Sequence, residues 1–180
     1  MLEIRIPGIE FFDESKEEFV TSPDAILQLE HSLVAVSKWE SKYKKRFLDN
    51  NVEKSNAEMQ DYIRCMALNE IPELSYQALF SNNAMVAEIV AYIEDPHTAT
   101  VIKKQAGQAN QGETITSELI YFWMVSAQIP WEAQYWHLNR LITLITIISE
   151  KNKPAKQMSP AEIARQNHAL NAQRRAARKH

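Results

Sequence analysis

The sequence predicts a mainly α fold: a helical bundle with a small N-terminal β meander and a basic C-terminal helix. Three observations lead there. Ile115–Ile148 is a dense apolar block whose large residues recur at helical spacing. There are only three glycines in 180 residues, too few for a turn-rich β fold or a Gly-rich phosphate loop. Leu2-Glu3-Ile4-Arg5-Ile6 alternates with period two, as a half-buried strand does.

The expected organisation is a β meander over 1–22 packed on a helical core domain of 23–150, then a linker and basic helix over 151–180. Pro7-Gly8 is turn chemistry, with further short strands expected over Ile9–Phe12 and Glu18–Thr21 around a turn at Asp13–Lys16. Ser22-Pro23 then reads as the cap and first position of a long helix to about Phe47. Its inward stripe would be Ile26, Leu29, Leu33, Val36 and Tyr43, flanked by Trp39. Lys38, Lys42, Lys44, Lys45 and Arg46 would form a solvated face.

Ser55-Asn56-Ala57-Glu58 has capping-box spacing, so a helix is expected from there to about Leu68. Cys65 reads as a small apolar packing residue. A short helix over Pro72–Phe80 follows, and Ser81-Asn82-Asn83 opens another that stops before Pro96. Residues 97–112 are polar and read as an exposed loop.

In the central block, Thr114 or Thr116 can cap a helix carrying Ile115, Leu119, Ile120, Trp123 and Met124, with Tyr121 and Phe122 widening the stripe. Ile129-Pro130 ends it, because a residue before proline is pushed out of the α region. Pro130 also suits the first turn of a second helix, running to Ile148 with apolar residues over more than half its circumference. Such a helix is expected to be covered on most sides. A membrane span is excluded here, since it needs about 20 consecutive apolar residues and Asn139-Arg140 interrupts. The aromatics read first as core; Trp131, Tyr135 and Trp136 are the candidates for an association surface, including a homo-oligomer contact.

Charge is unevenly placed. Residues 151–180 hold eight Lys and Arg against Glu162, a net of +7; the overall −3 therefore leaves −10 on residues 1–150. Ser159 and Glu162 repeat the cap logic for an alanine-rich helix over Ala161–Lys179. With Ile163 and Leu170 as its few large apolar residues, it has little to bury and would be marginal alone. Arg174, Arg175 and Arg178 could dock on an acidic protein surface or on phosphates. The tail lacks interleaved aromatics for base stacking, which ranks nucleic acid last.

Catalytic chemistry is not visible. Cys65 is the lone cysteine, none of the five histidines has zinc-protease spacing, and His137 reads as a satisfied helix histidine. No Walker loop, dinucleotide fingerprint or nucleophile elbow occurs. Neither a cofactor nor a metal is expected, and the chain reads as a non-enzyme.

Four segments carry a family resemblance: LEHSLVAVSKWESKYKKRFL (Leu29–Leu48), DYIRCMAL (Asp61–Leu68), ITSELIYFWMVSAQIPWEAQYWHLNRLITLI (Ile115–Ile145) and ALNAQRRA (Ala169–Ala176). Together the chain resembles tail assembly chaperones of tailed bacteriophages, most specifically in SLVAVSKWE and IPWEAQYWHLNRLITLI. Trp131 stands where phenylalanine is common in that pattern, and Gln134-Tyr135 replaces a more charged pair. The resemblance implies a helical, non-catalytic protein that binds a helical client, the tape-measure protein, and assists recruitment of tail tube protein. Some such proteins exist in a short and a frameshifted long form. The implied location is the host cell cytoplasm during assembly. The alternatives are a permanent structural protein of the virion tail or connector, and a nucleic-acid-binding accessory protein using the basic tail.

Overall fold

The computed structural model describes residues 1–13, 18–21, 23–100 and 115–152, together with 164, 165 and 168. The expected turn at Asp13–Lys16 beyond its first residue, the Ser22 cap, the 97–112 loop beyond Thr100, the Ser159 cap and Arg174, Arg175 and Arg178 lie outside the described residues. The chain divides into two compact units, Met1–Ile147 and Ile148–His180. In the second, Ala164, Arg165 and His168 are helical and exposed.

The fold is mainly α with a small antiparallel β part, but the strands do not pair in sequence order. Strand β1 (Leu2–Ile6) pairs with β4 (Ala25–Leu29), while β2 (Glu10–Asp13) and β3 (Glu18–Thr21) form a separate two-stranded sheet. The register sets Ile4 opposite Leu27 and Leu2 opposite Leu29. Ile4, Ile6, Leu27 and Leu29 are buried, and on the other face Gln28 Nε2 donates to Glu3 at 2.9 Å.

This corrects the long helix expected from Ser22. Ala25–Leu29 has the period-two burial of a strand, with Leu27 and Leu29 inside and Ile26 exposed. The outer edge of β4 is covered as well. Leu68 N–H donates to the Gln28 carbonyl and Glu30 N–H to that of Met66, while Asn69 bonds both Gln28 N–H and the Ile26 carbonyl. Backbone groups that would otherwise be open to another chain are thereby paired.

Helix α1 (Leu33–Tyr43) starts ten residues later than expected, capped by the Ser32 hydroxyl on Ala35 N–H. Trp39, expected at the flank, is fully buried, and its indole N–H donates to the Glu58 carbonyl at 2.8 Å. Phe47 stacks on Tyr62 and meets Trp39 edge-on, which fills the space between α1 and α2 (Asn56–Met66). The capping box is present: Ser55 Oγ accepts from Glu58 N–H, and the Glu58 carboxylate accepts from Ser55 N–H. Exposed cations on this side are held by carboxylates: Lys42 by Asp61, Lys45 by Glu58 and Arg46 by Asp49.

Helices α3 (Glu73–Ser81) and α4 (Asn83–Glu94) follow, with Asn82 capping α4 through its side-chain oxygen. Along α4, Ile89 is buried and Val90 is exposed. Helix α5 (Ser117–Ser126) is capped by Thr116 and buries Ser117, Ile120 and Met124. Its end is a Schellman closure: Ile129 N–H reaches the Met124 carbonyl, Gln128 N–H reaches Val125, and Gln128 sits at φ 54. Ile129 and Met124, which accompany the closure, are both buried.

The second helix of the central block is not continuous, a further correction. A 3-10 helix (Trp131–Tyr135) is followed by extended backbone at Trp136, and α6 (Leu138–Asn152) begins afresh. The break has a tertiary cause. His137 bridges to Ser32, and Leu138 N–H donates to the His31 carbonyl at 2.7 Å. These bonds pin the chain in extended form where the local pattern alone reads as helix. In α6 only Leu138 and Leu141 are buried, and the residues from Ile142 to Ile148 are half-buried rather than enclosed on most sides.

Candidate protein-interaction site

Four of the exposed large apolar side chains lie on α5 and the 3-10 helix; Met1, Phe19, Ile26, Leu68 and Val90 are exposed on other elements. Phe122 is 63% exposed, Val125 64%, Trp131 53% and Tyr135 61%. The inward side of α5 is set by Ser117, Ile120 and Met124 at spacings of three and four, which turns Phe122 and Val125 outward. Tyr121 joins the two elements. It shares the outward helical arc with Val125, one turn on. Its ring stacks on Trp131 at 5.2 Å and its hydroxyl donates to Gln134 Oε1 at 3.2 Å. Burial raises the Tyr121 phenol above its ordinary value, with smaller contributions from the charges of Tyr135 and Glu118.

Of the residues expected at an association surface, Trp131 and Tyr135 are therefore presented on this face. Trp136 is half-buried, with the Arg140 guanidinium 4.7 Å above its ring. Phe122 and Val125 belong to the same surface; Phe122 reads from sequence as widening the inward stripe, and Val125 carries no assignment there. The signal that finds them is the narrowness of the buried arc: Ile120 and Met124 suffice to anchor α5, and residues two and five positions past Ile120 then face away.

The platform beneath is tied together by side-chain hydrogen bonds at both ends. Glu40, buried on α1, accepts from Ser117 N–H at 2.8 Å and from Phe47 N–H at 2.9 Å. A carboxylate at the first turn of α5 satisfies an otherwise orphaned donor and is favoured there by the helix dipole. At the other end, His137 Nε2 donates to the Tyr92 carbonyl at 3.0 Å. Asn139 Nδ2 donates to the carbonyls of Ile93 and Asp95. These side chains close the C-terminal turn of α4 and hold the start of α6 against it.

Sequence reading gave no warning of one cluster in this region. His31, His97 and His137 converge, with ring centroids 5.1 Å apart for His31–His137 and 3.9 Å for His97–His137. Tyr92 packs edge-on against both His97 and His137. His31 Nδ1 shares a hydrogen bond with the buried Tyr62 hydroxyl, and the His97 ring with Asp95. Glu30 alongside accepts from Tyr92 and pairs with the Met1 ammonium at 2.8 Å. Burial, then the neighbouring His137 and His97, lowers His31 to about 3, and burial is the main cause that lowers His137. His137 Nδ1 is buried with no hydrogen-bond partner. Since Nε2 donates to a carbonyl, the neutral ring keeps its Nδ1 lone pair bare. The rings pack against one another, and among the described residues no group of three or more His, Cys, Asp or Glu is placed to hold a metal ion.

A shallow surface depression lies elsewhere, lined by Pro7, Ile9, Gln77, Ala78 and Ser81–Met85, with no ionisable side chain. Among the described residues no helix is long and apolar enough to cross a membrane. No protein family, curated protein or solved structure shows a detectable match to this chain.

Proposed function

We propose that this protein is a bacteriophage tail assembly chaperone, non-catalytic, which binds a helical client and assists tail tube assembly in the host cytoplasm. The resemblance in Ser32–Glu40 and Ile129–Ile145 suggests the family. The observation that carries the reading is the face formed by Tyr121, Phe122, Val125, Trp131 and Tyr135. Large apolar side chains grouped on one exposed face mark a contact with another macromolecule, where singly scattered ones do not. A client such as a tape-measure protein presents long amphipathic helices, whose apolar stripes need cover until the tube forms around them. A fixed aromatic face can take such a stripe at its i, i+3, i+4 and i+7 positions.

The test is co-expression with the tape-measure protein of the same phage. The client should remain soluble with this chain and precipitate with the F122S/Y135S variant. Equal client solubility with and without the chain would overturn the reading. Mass spectrometry of purified particles separates the alternative: a permanent tail or connector component would be present at fixed stoichiometry, and a chaperone missing.

A further inference from the structure

Resting on that reading, we propose that the α5 and 3-10 face receives a partner helix that is apolar along one stripe and basic along its flanks. The argument is the charge that frames the face. From Ile115 to Asn139 the only formally charged side chains, histidine aside, are the carboxylates Glu118 and Glu132. Both are exposed. Glu118 lies one helical turn before Phe122 and so shares its side of α5. Glu132 lies three residues before Tyr135, and side chains three apart in a 3-10 helix eclipse one another.

These carboxylates are left for a partner to neutralise. Glu58, Asp61 and Glu73 each meet a lysine or arginine of this chain at 2.5–2.6 Å. Glu118 accepts only from the Ser117 hydroxyl at 3.3 Å, and neither Glu118 nor Glu132 has a cationic partner among the described residues. The cation nearest to Glu132 in sequence, Arg140, lies over the Trp136 ring. A partner with lysine or arginine beside its apolar stripe would place opposite charge against both carboxylates, which favours encounter and fixes orientation. A second copy fits less well. A two-fold contact through the same face would set this acidic frame against its own image.

The experiment uses the full chain and two synthetic helical peptides with the same leucine stripe, one flanked by lysine and one by glutamate. Calorimetry at low salt should show the lysine peptide binding about tenfold tighter or better, with the gap narrowing at high salt. E118K/E132K should invert the preference while F122S/Y135S abolishes binding of both. Equal or tighter binding of the glutamate peptide overturns the charge inference and leaves the client reading standing. If neither peptide binds at either salt, the docking face itself is wrong and the proposed function loses its support. A dimer in sedimentation equilibrium that Y135S dissociates would identify a second copy as the occupant and overturn the inference.

Discussion

The Glu40 carboxylate stands 2.8 Å from the backbone nitrogen of Ser117, so a side chain of α1 closes the first turn of α5. Its other oxygen holds Phe47 N–H. Glu40→Ala leaves two donors without acceptors, and each buried unsatisfied donor costs about 1–3 kcal/mol. We expect a loss of about 2–4 kcal/mol in urea denaturation, at unchanged m-value. Glu40→Gln keeps one acceptor oxygen and should lose about half as much.

Gln128 occupies the left-handed position that closes α5, at φ 54. A side chain with a Cβ is strained there and glycine is not. Gln128→Gly should stabilise the protein by up to about 1 kcal/mol, a rise of roughly 2–4 °C in Tm. Gln128→Val should lower Tm, because a β-branched residue tolerates that conformation least.

Asn139 spans the last carbonyls of α4 with one amide nitrogen. Asn139→Ala loses both bonds, at about 1–2 kcal/mol. Asn139→Asp should be worse than alanine despite its similar shape, because it sets a carboxylate against carbonyl oxygens at the negative end of a helix. Matched thermal melts of the two variants at pH 7 check the order.

Acid should weaken the fold before the carboxylates titrate. His31 is lowered to about 3 by burial and by its histidine neighbours, so it stays neutral in the folded chain while its unfolded counterpart gains a proton below about 6.5. Its contribution is therefore complete above that value and is lost as pH falls toward the folded value. At pH 5 the loss from His31 alone is about 2 kcal/mol relative to pH 7. His137 is shifted the same way and adds to it. Glu58, Glu73, Asp49 and Asp95 are lowered from the carboxylate range, so their losses come at lower pH. The groups facing the histidines are Glu30, Asp95, Tyr62, Tyr92 and the Met1 ammonium. The urea midpoint should fall between pH 7 and pH 5, and His31→Gln should flatten that slope.

What sequence could reveal follows from the range of the forces involved. The Ser55–Glu58 capping box and the Thr116 cap were legible because their partners lie within one turn. The mainly α class was legible from apolar spacing and scarce glycine. Ala25–Leu29 read as helix because its partner strand is β1, far back in the chain, and nothing local records that pairing. The break at Trp136–His137 depends likewise on the His31 carbonyl. Trp131 and Tyr135 were readable as surface candidates because the block holds more aromatics than one helix can bury. Phe122 and Val125 were not separated from the core, since composition cannot say which arc of α5 a neighbour covers. The histidine cluster assembles from three distant positions and leaves no spacing signature.

The aromatic segment is tethered at both ends, by the Ile129–Met124 bond before it and the Leu138–His31 bond after it. Any visitor thus meets a contour already set, with no folding step interposed between collision and capture. In stopped-flow mixing, the observed association rate should climb in proportion to visitor concentration without reaching a plateau, because no slow opening of the host gates entry.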